Sequence, residues 1–222
     1  CLLSSALIVI AIVITLLTNM PATFNSYNLM ASYSRYGNNA VLTTNKNETI
    51  LVLNNLNNFN YVSKLLDKSK LHSVDAVILY GYSVKDNDTL NKIVKVYKPK
   101  IMVFEDNYKN QVLNEFSKKA SLQFYNNNFA LSDLNFSYIK NDFSTIALKV
   151  EINSELVLFV ADNISKTDCY YFLDDYNYVI SNNNNIDFKA YDVKYKNLIT
   201  YRETKVLDSV KLNSLLFFTK TF

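Results

Sequence analysis

The sequence predicts an α/β domain with mixed sheets, preceded by one apolar helix. Three observations predict it. Between residues 49 and 125, helical periodicity alternates with short, fully apolar runs. After residue 134, strand-like runs follow one another through tight turn signals. Residues 2–18, LLSSALIVIAIVITLLT, carry no charge. Alternating strands and helices argue for parallel pairing, and hairpins argue for antiparallel pairing.

The uncharged run comes close to the ~20 residues that cross a bilayer. No charged residue appears before Arg35, and Asn19 and Pro21 end the run. We expect a transmembrane helix over 1–20, a polar and aromatic linker over 21–32, and one domain over 33–222. The chain begins at Cys1 rather than Met, so it is expected to be a fragment of something longer. No basic residues precede the run, which argues against a signal peptide, and the positive-inside rule lacks the flank it needs.

Within the domain, residues 40–42 and 49–53 read as strands around the turn Asn45-Lys46-Asn47-Glu48. Phe59, Val62, Leu65 and Leu66 recur at helical spacing and predict a helix over 58–69. Residues 74–79 form a strand buried on both faces. Leu90, Ile93, Val94 and Tyr97 mark a helix capped by Asp88 and stopped by Pro99. A strand at 101–104, a helix at 107–119 and a strand at 122–125 follow. Further strands are expected at 134–139, 145–152 and 155–161, the last two joined at Asn153-Ser154. A short helix at 166–174 precedes strands at 177–181, 197–201 and 205–210.

Composition narrows the chemistry. The net charge of +3 is too small to imply a nucleic-acid partner. There is one histidine, His72, in the turn before a strand, which reads as a surface-loop residue. Ser-His-Asp chemistry would need it, and no Gly-x-Ser-x-Gly elbow exists. Gly37 and Gly81 are the only glycines, too few for a phosphate-cradling loop. Cys169 reads as a small buried residue, and a disulfide to Cys1 is not expected.

The order of elements resembles the metallo-β-lactamase fold, an αββα sandwich with mixed sheets. It resembles specifically the soluble domain at the end of ComEC-type competence proteins, membrane proteins of DNA uptake. Residues 35–42, RYGNNAVL, stand where that family has Gly-Gln-Gly-Asp before apolar residues. In ILVLNN (50–55), Leu53 and Asn55 replace the family's Asp-x-Gly. SKLHSVDAVIL (69–79) resembles the lead-in to the metal motif Thr-His-x-His/Asp-x-Asp-His. The motif's ligand positions fall on Gly81, Ser83, Lys85 and Asp86, and Asp88-Thr89-Leu90 stand for its Gly-Gly-Leu. LFVAD (158–162) matches a strand ending in Gly-Asp, so Asp162 would keep the metal-bridging aspartate. Asn182 and Asn183 lie where His-His-Gly-Ser belongs.

The resemblance therefore implies a degenerate site at Gly81, Ser83, Lys85, Asp86, Asp162, Asn182 and Asn183. Zinc hydrolases of this fold need neutral imidazoles, and one histidine cannot supply two zinc sites. Lys85 would place a cation beside a divalent ion. We expect the zinc site to be lost, no catalytic residues and no cofactor. A weak metal-dependent nuclease or phosphodiesterase using Asp86, Asp88 and Asp162 is the alternative, set against plain helix capping by Asp86 and Asp88. The implied partners are the membrane, the rest of a channel on the same polypeptide and single-stranded DNA. For DNA, Lys92, Lys95, Lys98, Lys100, Lys109, Lys118 and Lys119 are candidate contacts, against a solvated-face reading. The resemblance places the chain at the cell membrane with this domain on the extracytoplasmic side. A surface interaction module unrelated to DNA is the remaining reading.

Overall fold

The computed structural model describes residues 26–34, 37–54, 56, 59–81, 87–162, 164–182, 186–200 and 216–222. The apolar run at 2–18 and the strand expected at 205–210 lie outside them. Among the described residues no helix is long and apolar enough to cross a membrane.

Among the described residues, thirteen strands form two mixed sheets. The first sheet contains β1 (Asn28–Ser34), β2 (Gly37–Thr43), β3 (Thr49–Leu53), β4 (Ala76–Leu79), β5 (Ile101–Glu105), β6 (Ser121–Tyr125) and β13 (Leu216–Thr221). Its order is β13-β1-β2-β3-β4-β5-β6, with β3 to β6 parallel and β13, β1 and β2 antiparallel. The second sheet contains β7 (Asn128–Leu131), β8 (Leu134–Lys140), β9 (Thr145–Ile152), β10 (Glu155–Val160), β11 (Asp175–Ser181) and β12 (Lys194–Thr200), in the order β12-β11-β10-β9-β8-β7.

Three helices return the chain between the parallel strands: α1 (Phe59–Lys68), α2 (Asn87–Tyr97) and α3 (Lys109–Phe116). Their apolar stripes bury Val62, Leu65 and Leu66, then Leu90, Ile93, Val94 and Tyr97, then Val112 and Phe116. These pack on Val41, Leu51, Leu53, Val77, Leu79, Met102 and Phe104, the outward residues of the first sheet. The alternate residues Ala40, Leu42, Ile50, Val52, Ala76, Ile78 and Val103 face the second sheet, because successive strand side chains point to opposite faces. Two apolar faces explain why β3 and β4 are apolar at every position. Each such buried side chain contributes roughly 1.5–3 kcal/mol.

The structure corrects several expectations. Residues 28–32, read as linker, belong to β1, which pairs with both β2 and β13. The strand β7 was not expected: it is four residues long beside an Asn run, and only Phe129 and Leu131 are buried. The helix at 107–119 is a 3-10 turn over Asp106–Tyr108 leading into α3. The helix at 166–174 is a 3-10 turn over Lys166–Tyr171, started by a reciprocal Ser165–Asp168 capping box. Asp88 sits in the first turn of α2 rather than capping it. Among the described residues, the layer over the second sheet consists of 3-10 turns. The crossovers beside β10 to β12 supply 3-10 turns, whose Cys169 and Phe188 are buried in one cluster with Leu158, Val160 and Val179.

Candidate functional site

In open sheets of this kind, sites form beyond the carboxyl ends of the parallel strands. Here β2 begins, and β3, β4 and β5 end, at one mouth between the two sheets. Continuing the inward-facing alternation there gives Asn38, Asn54, Tyr80 and Glu105, one polar side chain from each of four adjacent strands. All four are buried.

Three of these residues make hydrogen bonds to the second sheet and the loops leaving it. The Asn38 amide donates to the Val160 carbonyl at 2.9 Å and the Ile180 carbonyl at 3.4 Å, bridging β10 and β11. Asn54 donates to the Tyr80 carbonyl at 3.1 Å, and its own carbonyl accepts from the Asp162 amide at 3.3 Å. The Glu105 carboxylate accepts from the Gly81 amide at 3.1 Å and the Thr145 hydroxyl at 2.5 Å, with the Lys140 ammonium 4.0 Å away. From the second sheet, the Tyr138 hydroxyl donates to the Leu79 carbonyl at 3.1 Å. A buried carboxylate with two donors and a nearby cation is a satisfied group rather than an available base.

Tyr80 is the exception. It is 0% exposed, and its hydroxyl has no hydrogen-bond partner among the described residues. Burial first, and then the negative charge of Asp162, raises its ionisation well above the ordinary tyrosine range. Burial, the Glu105 charge and then Tyr125 do the same for Tyr138. Burial thus favours the neutral form of both phenols.

The structure brings three of the expected site positions to this mouth. Gly81 follows Tyr80, Asp162 follows β10, and Asn182 follows β11. The register Phe159↔Ile180 sets Asp162 and Asn182 on neighbouring strand ends. Ser83, Lys85, Asp86 and Asn183 lie outside the described residues. Gly81 has φ +63°, and a Cβ there would stand 3.0 Å from the Asn54 side-chain amide. The position aligned with the first zinc-ligand histidine thus has a left-handed backbone, and a side chain there would require the Asn54 amide to give by a few tenths of an ångström. His72 is exposed in the loop before β4, at the opposite end of that strand. Among the described residues no group of three or more His, Cys, Asp or Glu converges as metal ligands. Among the described residues the donor set at the mouth is amide, phenol and carboxylate, whereas a zinc centre favours imidazole and thiolate.

Asn38, Asn54, Tyr80 and Glu105 were not singled out as site residues from the sequence. The available signal was a polar residue continuing the inward parity of each strand at its mouth end.

The candidate lysines other than Lys109 lie away from the mouth. Lys92, Lys95 and Lys98 are exposed on or after α2. Lys100 pairs with Asp75 at 2.7 Å. Lys109 lies 5.8 Å from the centre of the Phe124 ring, and Lys119 lies 5.0 Å from that of Phe116.

No protein-family model matches the chain, and no curated protein matches it. Solved structures do. The metallo-β-lactamase fold protein YhfI from Bacillus subtilis is 12% identical over 88% of this chain and 100% of its own, with a TM-score of 0.61. A diphosphatase from the PhnP family is 8% identical over 88% of this chain and 98% of its own, with a TM-score of 0.60. Human tRNase Z, short form, is 9% identical over 86% of this chain and 98% of its own, with a TM-score of 0.51. At such identities the likeness shows the fold alone: the chain has the metallo-β-lactamase fold.

Proposed function

We propose that the chain is a non-hydrolytic metallo-β-lactamase-fold domain of a ComEC-like membrane protein of DNA uptake. In this reading residues 1–20 anchor it in the cell membrane, and the domain lies on the extracytoplasmic side as a structural or DNA-contacting module. Its DNA-uptake assignment rests on the order of elements and the framing residues of the resemblance.

The observation that carries the non-hydrolytic part is Gly81. A lost ligand is ordinarily a changed side chain on an unchanged backbone. Here the backbone at that position is left-handed, and the Asn54 amide stands 3.0 Å from where a Cβ would be. The neighbouring polar groups hydrogen-bond one another across the two sheets, so the mouth is held by amides and a carboxylate instead of a metal. That network gives the domain a rigid frame and, among the described residues, leaves no positioned nucleophile.

The test uses labelled single-stranded DNA with the chain in Zn²⁺ or Mn²⁺, read by anisotropy across salt concentrations and by gel. Binding that weakens steeply with salt, without cleavage, is expected. Cleavage that disappears in Asp162→Ala would instead establish the carboxylate-nuclease alternative.

A second reading, a surface interaction module unrelated to DNA, is favoured by one observation. Phe143, Tyr170 and Tyr171 are 94%, 65% and 41% exposed and line one pocket with Asn141 and Asp168. Single exposed apolar residues are common, but a group of large ones marks a contact surface more often.

A further inference from the structure

We propose that the end of the helical layer opposite the mouth is a contact for anionic phospholipid headgroups, centred on the groove between α2 and α3. The inference rests on the reading that residues 1–20 anchor the chain in a bilayer.

Topology supplies the first argument. The chain enters β1 at Asn28, which pairs with Thr43 and Thr221, far from the mouth. The Ser69 hydroxyl, just after α1, donates to the Met30 sulfur at 3.2 Å. The third residue of β1 is therefore against the end of α1. All three helices run away from the mouth, so their last turns gather at this entry end. They bring Lys68 and Lys70, Lys95 and Lys98, and Lys118 and Lys119, all of them exposed.

The groove supplies the second. It encloses about 510 Å³ and is lined by Asn91, Val94, Lys95, Lys98 and Lys119. The Lys119 ammonium donates to the Asn91 carbonyl at 2.6 Å. Glu115, the nearest acid on α3, accepts from the amides of Asn87 and Asn91. Among the described residues neither Lys95 nor Lys98 forms a salt bridge, while Asp75 is engaged by Lys100. Two uncommitted ammonium groups and a third beside them match a phosphodiester, which a lysine binds as a point charge.

The same end of the second sheet differs. It carries Glu151, Glu155, Asp174 and Asp175, and the last two are bridged by Lys149 and Lys194. An anionic surface would therefore draw in the helical side and repel the other, tilting the domain. Helix-end lysines also offset the negative end of each helix dipole, a role that needs no groove and no placement beside the chain's entry point.

The test is acetylation footprinting of the full chain mixed with vesicles of phosphatidylcholine alone or with phosphatidylglycerol, after flotation. Lys109 and Lys166, near the mouth, are the internal references. The expected result is flotation in both compositions, with acetylation of Lys95, Lys98 and Lys119 slowed about fivefold in phosphatidylglycerol relative to the references. The combined Lys95→Gln, Lys98→Gln, Lys119→Gln variant should lose the matching protection at Lys68 and Lys70. Flotation in both with uniform acetylation overturns the headgroup contact and leaves the anchor standing. Flotation only with phosphatidylglycerol supports the contact and contradicts the anchor. Flotation in neither overturns both. Protection by single-stranded DNA on phosphatidylcholine vesicles, without protection by phosphatidylglycerol, assigns the groove to nucleic acid and overturns the lipid assignment.

Discussion

The two ends of the parallel strands solve opposite problems. At the mouth, Asn38, Asn54, Tyr80 and Glu105 are buried, and the Asn38 amide nitrogen, Asn54 and Glu105 are tied into hydrogen bonds, while the Tyr80 hydroxyl and the Asn38 side-chain oxygen have no partner among the described residues. At the entry end an ion pair meets water. Asp75 accepts from the Thr49 amide at 2.9 Å and pairs with a Lys100 that is 79% exposed. Low dielectric makes the first network strong when complete and expensive when broken, and water makes the second nearly neutral. The lesson is that polarity at a strand end marks a site only where water is excluded.

The largest effect should come from Glu105. Replacing it by Leu leaves the Thr145 hydroxyl and the Gly81 amide buried without their acceptor. We expect a loss of about 3 kcal/mol in urea unfolding. Gly81→Ala should follow at about 1–3 kcal/mol, since a Cβ meets both a left-handed backbone and the Asn54 amide. Tyr80→Phe reverses the sign. Removing a buried hydroxyl that lacks a partner among the described residues should be neutral, or stabilising by about 1 kcal/mol. A clear loss would show that the hydroxyl has a partner.

The smallest effect belongs to the entry end. Burial pushes the Asp75 carboxyl up. The Lys100 hydrogen bond, the Thr49 amide and the Lys100 charge together outweigh it, so its pKa falls below the ordinary aspartate value. A group with a depressed folded pKa stabilises above its unfolded pKa, about 4. That contribution is lost as pH falls from there through the lower folded value. The wild-type chain should therefore lose slightly more stability than Lys100→Ala as acid unfolding is followed below that pH, and the gap should shrink in high salt.

Much of the first half was legible because its signals are local. Helix stripes such as Leu90, Ile93, Val94 and Tyr97, and the doubly buried β4, follow from periodicity alone. Pairing partners are not local. β13 was missed because its partner, β1, lies almost two hundred positions earlier and had been read as linker. The 3-10 turns read as a helix because a 3-10 turn over Lys166–Tyr171 and one α turn share nearly the same spacing of apolar residues. The site was half legible. The absent histidines were visible in composition, and Asp162 and Asn182 do reach the mouth. The inward parity of Asn38 and Glu105 becomes meaningful only when the second sheet is known to close over them. No periodicity could have reported the φ of Gly81.

The central claim is that hydrogen bonds occupy the place of the metal. The most direct measurement is zinc per chain by elemental analysis after exposure to excess Zn²⁺ and dialysis, with thermal unfolding recorded in parallel. The account predicts substoichiometric zinc and an unchanged Tm. Stoichiometric zinc with a raised Tm, both abolished by Asp162→Ala, would contradict it.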